Sequence, residues 1–285
     1  MAAPVLQRPV VRKTAVEPAR QAVSVLEGLY RQFAFYGRIL AGLPRGLRYR
    51  NEILAVMGDI VFGPGALIVG AGMIFVGGSI AIFTGIEVGL EGFQGLSQIG
   101  AEAFTGIISS LANTREITPL VAGVALAAQV GAGFTAQLGA MRVSEEIDAL
   151  EVMGVDSFVY LVTTRVWAAL LTMIPLYLAM LFASYLATEL ISTKFFYLSS
   201  GTYTHFFRLF LPSIDVLFSV IKAMVFAVVV TLIHCYYGFY ASGGPAGVGV
   251  AAGRAIRASI IVVVVLNLLM SFVMFGSGTT ALIVG

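Results

Sequence analysis

Gly131-Ala-Gly-Phe-Thr-Ala-Gln-Leu-Gly-Ala-Met-Arg-Val-Ser-Glu-Glu-Ile-Asp-Ala-Leu-Glu-Val-Met-Gly-Val-Asp156 joins two environments with no spacer between them. Its first part is small and apolar and suits a membrane helix ending at Met141. The next part places Glu145, Glu146, Asp148 and Glu151 close together, in a chain with only 15 acids among 285 residues. A charged side chain at the centre of a bilayer costs about 2.5–3.5 kcal/mol on insertion scales. The second helix therefore belongs outside the hydrocarbon, where a partner can grip it.

The composition agrees with a membrane setting. The chain is 59% hydrophobic and 11% charged, with a mean hydropathy of +0.95, whereas soluble domains carry about 25% charged residues. An all-α integral membrane protein is the expected fold class, because helices satisfy their own backbone in lipid. The single cysteine, Cys235, sits in an apolar run and excludes a disulfide framework or a thiolate metal site. The N-terminus is basic and lacks the apolar core and cleavage site of a signal peptide, so none is expected. Arg8, Arg12, Lys13, Arg20, Arg31, Arg38, Arg45, Arg48 and Arg50 face only Glu17 and Glu27 in the first fifty residues. That excess predicts a cytoplasmic N-terminus.

Residues 1–20 read as a disordered cytoplasmic tail and 21–50 as an amphipathic helix lying in the membrane interface. Leu26, Tyr30, Phe33, Gly37 and Leu40 share one face, opposite Arg31, Arg38 and Arg45. Residues 51–285 read as one transmembrane domain with about five spans of sufficient length, over 52–84, 118–141, 158–189, 214–240 and 256–282. Asp59 and Gly63-Pro64-Gly65 predict that the lower part of the first is kinked or only partly embedded. Five spans starting inside place the C-terminus outside. Arg142, Arg165, Arg254 and Arg257 then fall inside, and Glu87, Glu91, Glu102 and Glu116 fall in an outer loop. Residues 86–117 look too polar for a span and too apolar for a free loop, which predicts a short outer-leaflet hairpin or re-entrant element. Residues 191–213, with Phe195, Phe196, Tyr197, Tyr203, Phe206 and Phe207, read as an aromatic interface belt.

Within the acidic segment, Ser144 is expected to cap the helix, with Glu145 and Glu146 in its first turn, where the dipole favours carboxylates. Glu145, Asp148 and Glu151 should share one side, and Val143, Ile147 and Leu150 the other. A solvated loop helix would look like this. So would a docking element whose apolar face seats in a groove while charges fix register; the density of acids favours docking. Gly131, Thr135 and Gly139 recur every fourth residue, a spacing that lets helices approach closely, either between neighbouring spans or between subunits. Of the ionisable groups near spans, Glu189 and Asp215 are placed at the outer surface. Lys222 either snorkels outward or holds an acidic lipid headgroup.

No phosphate-cradling Gly-rich loop ending in Lys-Ser/Thr is present. The run Ser242 to Gly253 lacks a preceding strand and reads as a flexible connection instead. His205 and His234 have no carboxylates at metal-site spacing. No catalytic residue, metal site, cofactor or nucleic-acid partner is expected for this chain. No relay of acids crosses the membrane, which disfavours a proton-coupled carrier.

Thr135-Ala-Gln-Leu-Gly-Ala-Met141, Glu145-Glu-Ile-Asp-Ala-Leu150, Met153-Gly-Val-Asp156 and Leu161-Val-Thr-Thr-Arg165 resemble the MlaE/YrbE family of ABC-transporter permeases. Cys235-Tyr-Tyr-Gly-Phe-Tyr-Ala-Ser-Gly-Gly-Pro-Ala-Gly-Val-Gly249 resembles its second signature, and the likeness covers about residues 50–282. The resemblance implies lipid transport across the cell envelope by a multi-pass inner-membrane permease dimer, beneath periplasmic MCE-domain proteins. It implies a cytosolic ABC ATPase dimer that binds ATP and Mg, with Ser144, Glu145, Glu146, Ile147, Asp148, Leu150 and Glu151 forming the coupling helix. Gln129 stands where many members have Arg, Ser157 and Thr164 where many have Pro, and Asn267 where an acid is common. These departures are similar to B-type YrbE subunits of actinobacterial mce systems, which implies pairing with a second YrbE-type permease. Import of fatty acids, sterols or related lipids is expected. The alternatives are an ATP-independent secondary lipid transporter and a non-transporting membrane scaffold.

Overall fold

The computed structural model describes residues 16–62 and 72–276, with side chains from residue 26 onward. Every regular element among the described residues is helical. Helices α1 (Val16–Gly46) and α2 (Arg50–Phe62) precede α3 (Met73–Ser97). They are followed by α4 (Glu102–Val143), the short α5 (Glu146–Val152), α6 (Phe158–Phe195), α7 (Ser200–Leu209), α8 (Ser213–Phe239) and α9 (Gly244–Phe275). Helices α3, α4, α6, α8 and α9 are long and apolar enough to cross a membrane. The chain is thus a multi-pass integral membrane protein.

The chain divides into two compact units, one up to Ala41 and one from Gly42. The first contains most of α1, on which Leu26, Tyr30, Phe33 and Leu40 are all exposed. This helix starts at Val16, inside the stretch expected to be a disordered tail, and residues 1–15 lie outside the described residues. It also ends sooner than the expected boundary at 50. Pro44 sits in its last turns, and a separate helix opens at Arg50.

In the second unit, α3 packs parallel to α6, and α4 packs parallel to α8. Backbones approach closely at Gly85, where an added Cβ would lie 2.5 Å from the Ser184 carbonyl oxygen. Thr188 Oγ1 donates to the Gly85 oxygen at 2.8 Å across the same contact. Small residues permit this approach in lipid, where packing and interhelical hydrogen bonds drive association. Helix α9 runs antiparallel to α4, with Gly139 against Val248 and Glu116 against Asn267.

The span expected over 52–84 is not a single helix. Its N-terminal part is the separate α2, the spanning helix begins only at Met73, and Gly63-Pro64-Gly65 lies outside the described residues. The short hairpin or re-entrant element expected over 86–117 is instead the end of α3, a turn, and the start of the 42-residue α4. Polarity misled because it is one-sided. Glu87 and Glu91 lie exposed one turn apart while Gly85, Gly89 and Gly92 are buried in the packing face. At 1.5 Å per residue, α4 reaches about 60 Å, twice the hydrocarbon thickness. It also contains two wide π-helical turns, Ser109–Ile117 and Ala127–Gly131.

The Gly-rich run that reads as a flexible connection forms a helix from Gly244 onward. Pro245 sits near its N-terminus, where its fixed φ suits the first turn, and Gly243 supplies a left-handed φ of 90° just before it. Helix α9 therefore starts well before residue 256, and residues 277–282 of the expected span lie outside the described residues. The aromatic segment is ordered around α7, with Phe93 stacked on Phe196 at 4.2 Å and Phe104 edge-on to Phe206 at 4.8 Å.

Candidate functional site

The acidic segment forms a bracket between two left-handed corners. Helix α4 ends at Val143, and Ser144 closes that end by donating its hydroxyl back to Ala140 O at 3.0 Å. Glu145 adopts φ 61°, and α5 runs from Glu146 to Val152. Gly154, at φ 79°, then turns the chain back, with Gly154 N donating to Glu151 O and Val155 N to Leu150 O at 3.0 Å each. A glycine at this position is the usual helix stop. Ser144 is thus the end of the preceding helix rather than the cap of α5. Its hydroxyl also lies 2.8 Å from Glu146 Oε1.

The four carboxylates differ in their ties. Arg142 donates to Asp148 Oδ1 at 2.6 Å, spanning the corner from α4 to α5. Ser157 donates to Glu151 Oε1 at 2.6 Å and closes the other corner. The Glu145 carboxylate has no hydrogen bond or ion pair among the described residues, although its main chain donates to Arg142 O and accepts from Ala149 N. All four remain exposed. Beyond the second corner, Val159 N donates to Asp156 Oδ1 at 3.3 Å, which caps α6.

The apolar side differs from the expected one. Ile147 is seated at 1% exposure, but Val143 is exposed and Leu150 half-buried. The missed residues are Val152 and Met153, 89% and 69% exposed at the tip of α5. Gly154 was the available signal: a helix stop there leaves the two preceding residues on the last turn, away from the core. The bracket therefore presents two apolar side chains flanked by carboxylates, on a short helix held at both ends.

Gly131, Thr135 and Gly139 turn toward their own chain. A Cβ at Gly131 would meet His234 at 2.5 Å, and one at Gly139 would meet Val248 at 2.7 Å. The Thr135 hydroxyl lies 2.8 Å from His234 Nδ1 and 3.0 Å from the His234 carbonyl oxygen. Ser259 Oγ lies 3.1 Å from His234 Nε2. One imidazole thus ties α4, α8 and α9 together, and this small-residue face is filled within the subunit.

A second polar cluster lies toward the opposite ends of the same helices. Lys222 is fully buried, and its ammonium donates to Arg115 O at 2.5 Å and Ser271 Oγ at 2.7 Å. Glu116 Oε2 lies 3.7 Å away and accepts from Asn267 Nδ2 at 2.8 Å. Asp215, 1% exposed, takes Arg115 Nε and Nη2 at 2.7 and 2.6 Å. Asp215, in the first turn of α8, is therefore buried in the helix packing rather than exposed, and Lys222 is held inside the packing rather than snorkelling. Its partners reach it because the wide turn of α4 carries Arg115 and Glu116 into the helix packing, where the sequence suggested a loop. Two cations thus face two anions, and the two fully buried members, Lys222 and Asp215, each have an opposite charge beside them.

The comparisons fit a chain built this way. The permease MlaE family model matches residues 64–273, which takes in α3 through nearly all of α9. A probable ABC transporter permease of Rickettsia bellii is 35% identical over 193 residues, covering 68% of this chain and 74% of that protein. A probable ABC transporter permease of Synechocystis is 29% identical over 267 residues, 93% of this chain and 98% of that protein. The Haemophilus influenzae intermembrane phospholipid transport system permease MlaE is 29% identical over 198 residues, 69% of this chain and 76% of that protein. The bracketed α5, the close-packed spans and the matched residues lead to one conclusion: this chain belongs to the MlaE permease family.

Proposed function

We propose that the chain is the permease subunit of an ABC transporter for lipids, and that α5 is the coupling helix on which a separate ATPase acts. One observation carries this reading: Val152 and Met153 are exposed among carboxylates on a helix clamped by Arg142 and Ser157. An apolar anchor pair inside a charged rim is the anatomy of a docking surface. The clamps let displacement of α5 pass into α4 and α6. ATP and Mg belong to the partner, and this chain contributes no catalytic group. A lipid cargo is supported by the phospholipid transport named for the Haemophilus relative.

The side of the membrane bearing α5 is the cytoplasmic one in this reading, because Arg142, Arg254 and Arg257 fall there. The N-terminus then lies inside and the end of α9 outside. Pairing with a second YrbE-type permease, contact with periplasmic MCE proteins and import of lipid complete the proposed assembly. In the reconstituted transporter, Glu146→Lys with Asp148→Lys should abolish ATP-driven lipid transfer while leaving the permease folded. Transfer that persists without ATP hydrolysis would point to a secondary transporter instead.

A further inference from the structure

The short link between α1 and α2 is an elbow held against the start of α6. Trp167 Nε1 donates to Leu43 O at 2.9 Å. A Cβ at Gly46 would lie 2.5 Å from Thr163 Oγ1 and 3.4 Å from Trp167 Cδ1. The Tyr49 and Tyr160 rings meet edge-on at 5.1 Å. Arg48, Tyr49, Arg50, Asn51, Glu52 and Tyr160 line an open cleft at this elbow.

The charge in that cleft is unbalanced. Arg48 and Arg50 are exposed, and among the described residues neither has a carboxylate within salt-bridge distance. Arg45, one turn earlier, does face Asp156 at 3.8 Å. The one acid in the cleft, Glu52, is already engaged by the Tyr160 hydroxyl at 3.2 Å. Helix α2 begins at Arg50, so its unpaired first amides and the positive end of its dipole lie at the same place. Two guanidiniums against one carboxylate leave about one unit of positive charge, which a phosphodiester would neutralise. The elbow also sits at the α5 end of α6, beside Trp167, Tyr49 and Tyr160. Amphipathic rings of this kind mark the headgroup level of a bilayer.

We propose that the Arg48–Arg50 elbow binds the phosphodiester of an anionic phospholipid in the leaflet on the α5 side, apart from any transported lipid. Arginine suits the site because its planar fork takes two phosphate oxygens at once. The bound lipid fixes the elbow, and with it the start of α2, at the membrane surface. The inference does not depend on which protein docks on α5.

Native mass spectrometry of the purified full chain tests this with phosphatidylglycerol, phosphatidylcholine and inorganic phosphate as separate probes. The chain should retain phosphatidylglycerol about twenty-five-fold better than phosphatidylcholine, since each of the two arginines near an anionic headgroup contributes about a factor of five. Arg48→Gln with Arg50→Gln should remove that preference, and Arg48→Lys with Arg50→Lys should keep most of it. Arg254→Gln with Arg257→Gln, equal in charge lost, should leave it intact. Trp167, the sole tryptophan, touches the elbow, so its emission should shift with phosphatidylglycerol and not with phosphate. An unchanged preference in the Arg48/Arg50 glutamine variant overturns the proposal. So does an equal loss in the Arg254/Arg257 variant, or displacement of the lipid by inorganic phosphate, which would make the cleft a free-anion site. Should the double glutamine variant fail to fold, each single variant must lose part of the preference for the proposal to stand.

Discussion

Lys222 donates its ammonium to the main-chain oxygen of Arg115 at 2.5 Å, while the Arg115 side chain turns to Asp215. One residue of α4 thus serves two charged partners on α8, its carbonyl satisfying a cation and its guanidinium an anion. Ser271 and Asn267 bring α9 into the same cluster.

Asp215→Asn should lower stability by about 3 kcal/mol, because it leaves the largely buried Arg115 guanidinium without its counterion. The unfolding midpoint in a denaturing detergent titration measures this. Lys222→Met should be destabilising for the same reason, and adding Glu116→Gln should restore part of the loss. A double variant as weak as the sum of the singles would mean that Lys222 and Glu116 act independently.

Gly131→Ala should destabilise by about 1–3 kcal/mol, the cost of overpacking a filled core, since its methyl would overlap His234. Combining it with His234→Ala should recover stability even though the variant loses the ties to Thr135 and Ser259. Thermal unfolding of the two variants side by side decides it.

Glu145 holds a left-handed backbone without being glycine, a conformation costing roughly 1–2 kcal/mol. Glu145→Gly should therefore stabilise the isolated permease by about 1 kcal/mol. Gly154→Ala should do the opposite at the other corner. If the strained Glu145 is kept for its charge, Glu145→Gly should also weaken binding of the ATPase, which a pull-down at low and high salt would register.

These particulars show where the sequence was legible. The spans near 118–141, 158–189 and 214–240 were readable because long apolar runs have few other fates in lipid. The acidic α5 was readable because its carboxylates could not stay in the bilayer. The charge cluster was not, since Arg115 and Glu116 lie in a polar stretch whose wide turn brings them against residues about a hundred positions away. Nor was the true start of α9, because glycines in Ser242 to Gly253 signal flexibility by composition while Pro245 and the close contact of Gly139 with Val248 make the run a helix. The exposed pair Val152 and Met153 required the position of the second corner, which only Gly154 hinted at.

Val152→Asp with Met153→Asp should lower ATPase affinity at least tenfold, as expected when apolar anchors are lost from an interface centre. Both side chains are exposed, so the melting temperature of the permease alone should not move. A matching loss of stability would assign them to the fold instead.

The most direct measurement uses Met153→Cys, because the native Cys235 is buried and should not react with a membrane-impermeant maleimide. Labelling is followed on each side of sealed membranes, with and without the assembled ATPase. The account predicts modification only from the cytoplasmic side and protection once the ATPase is bound. Modification from the opposite side, or equal labelling in the intact transporter, would contradict it.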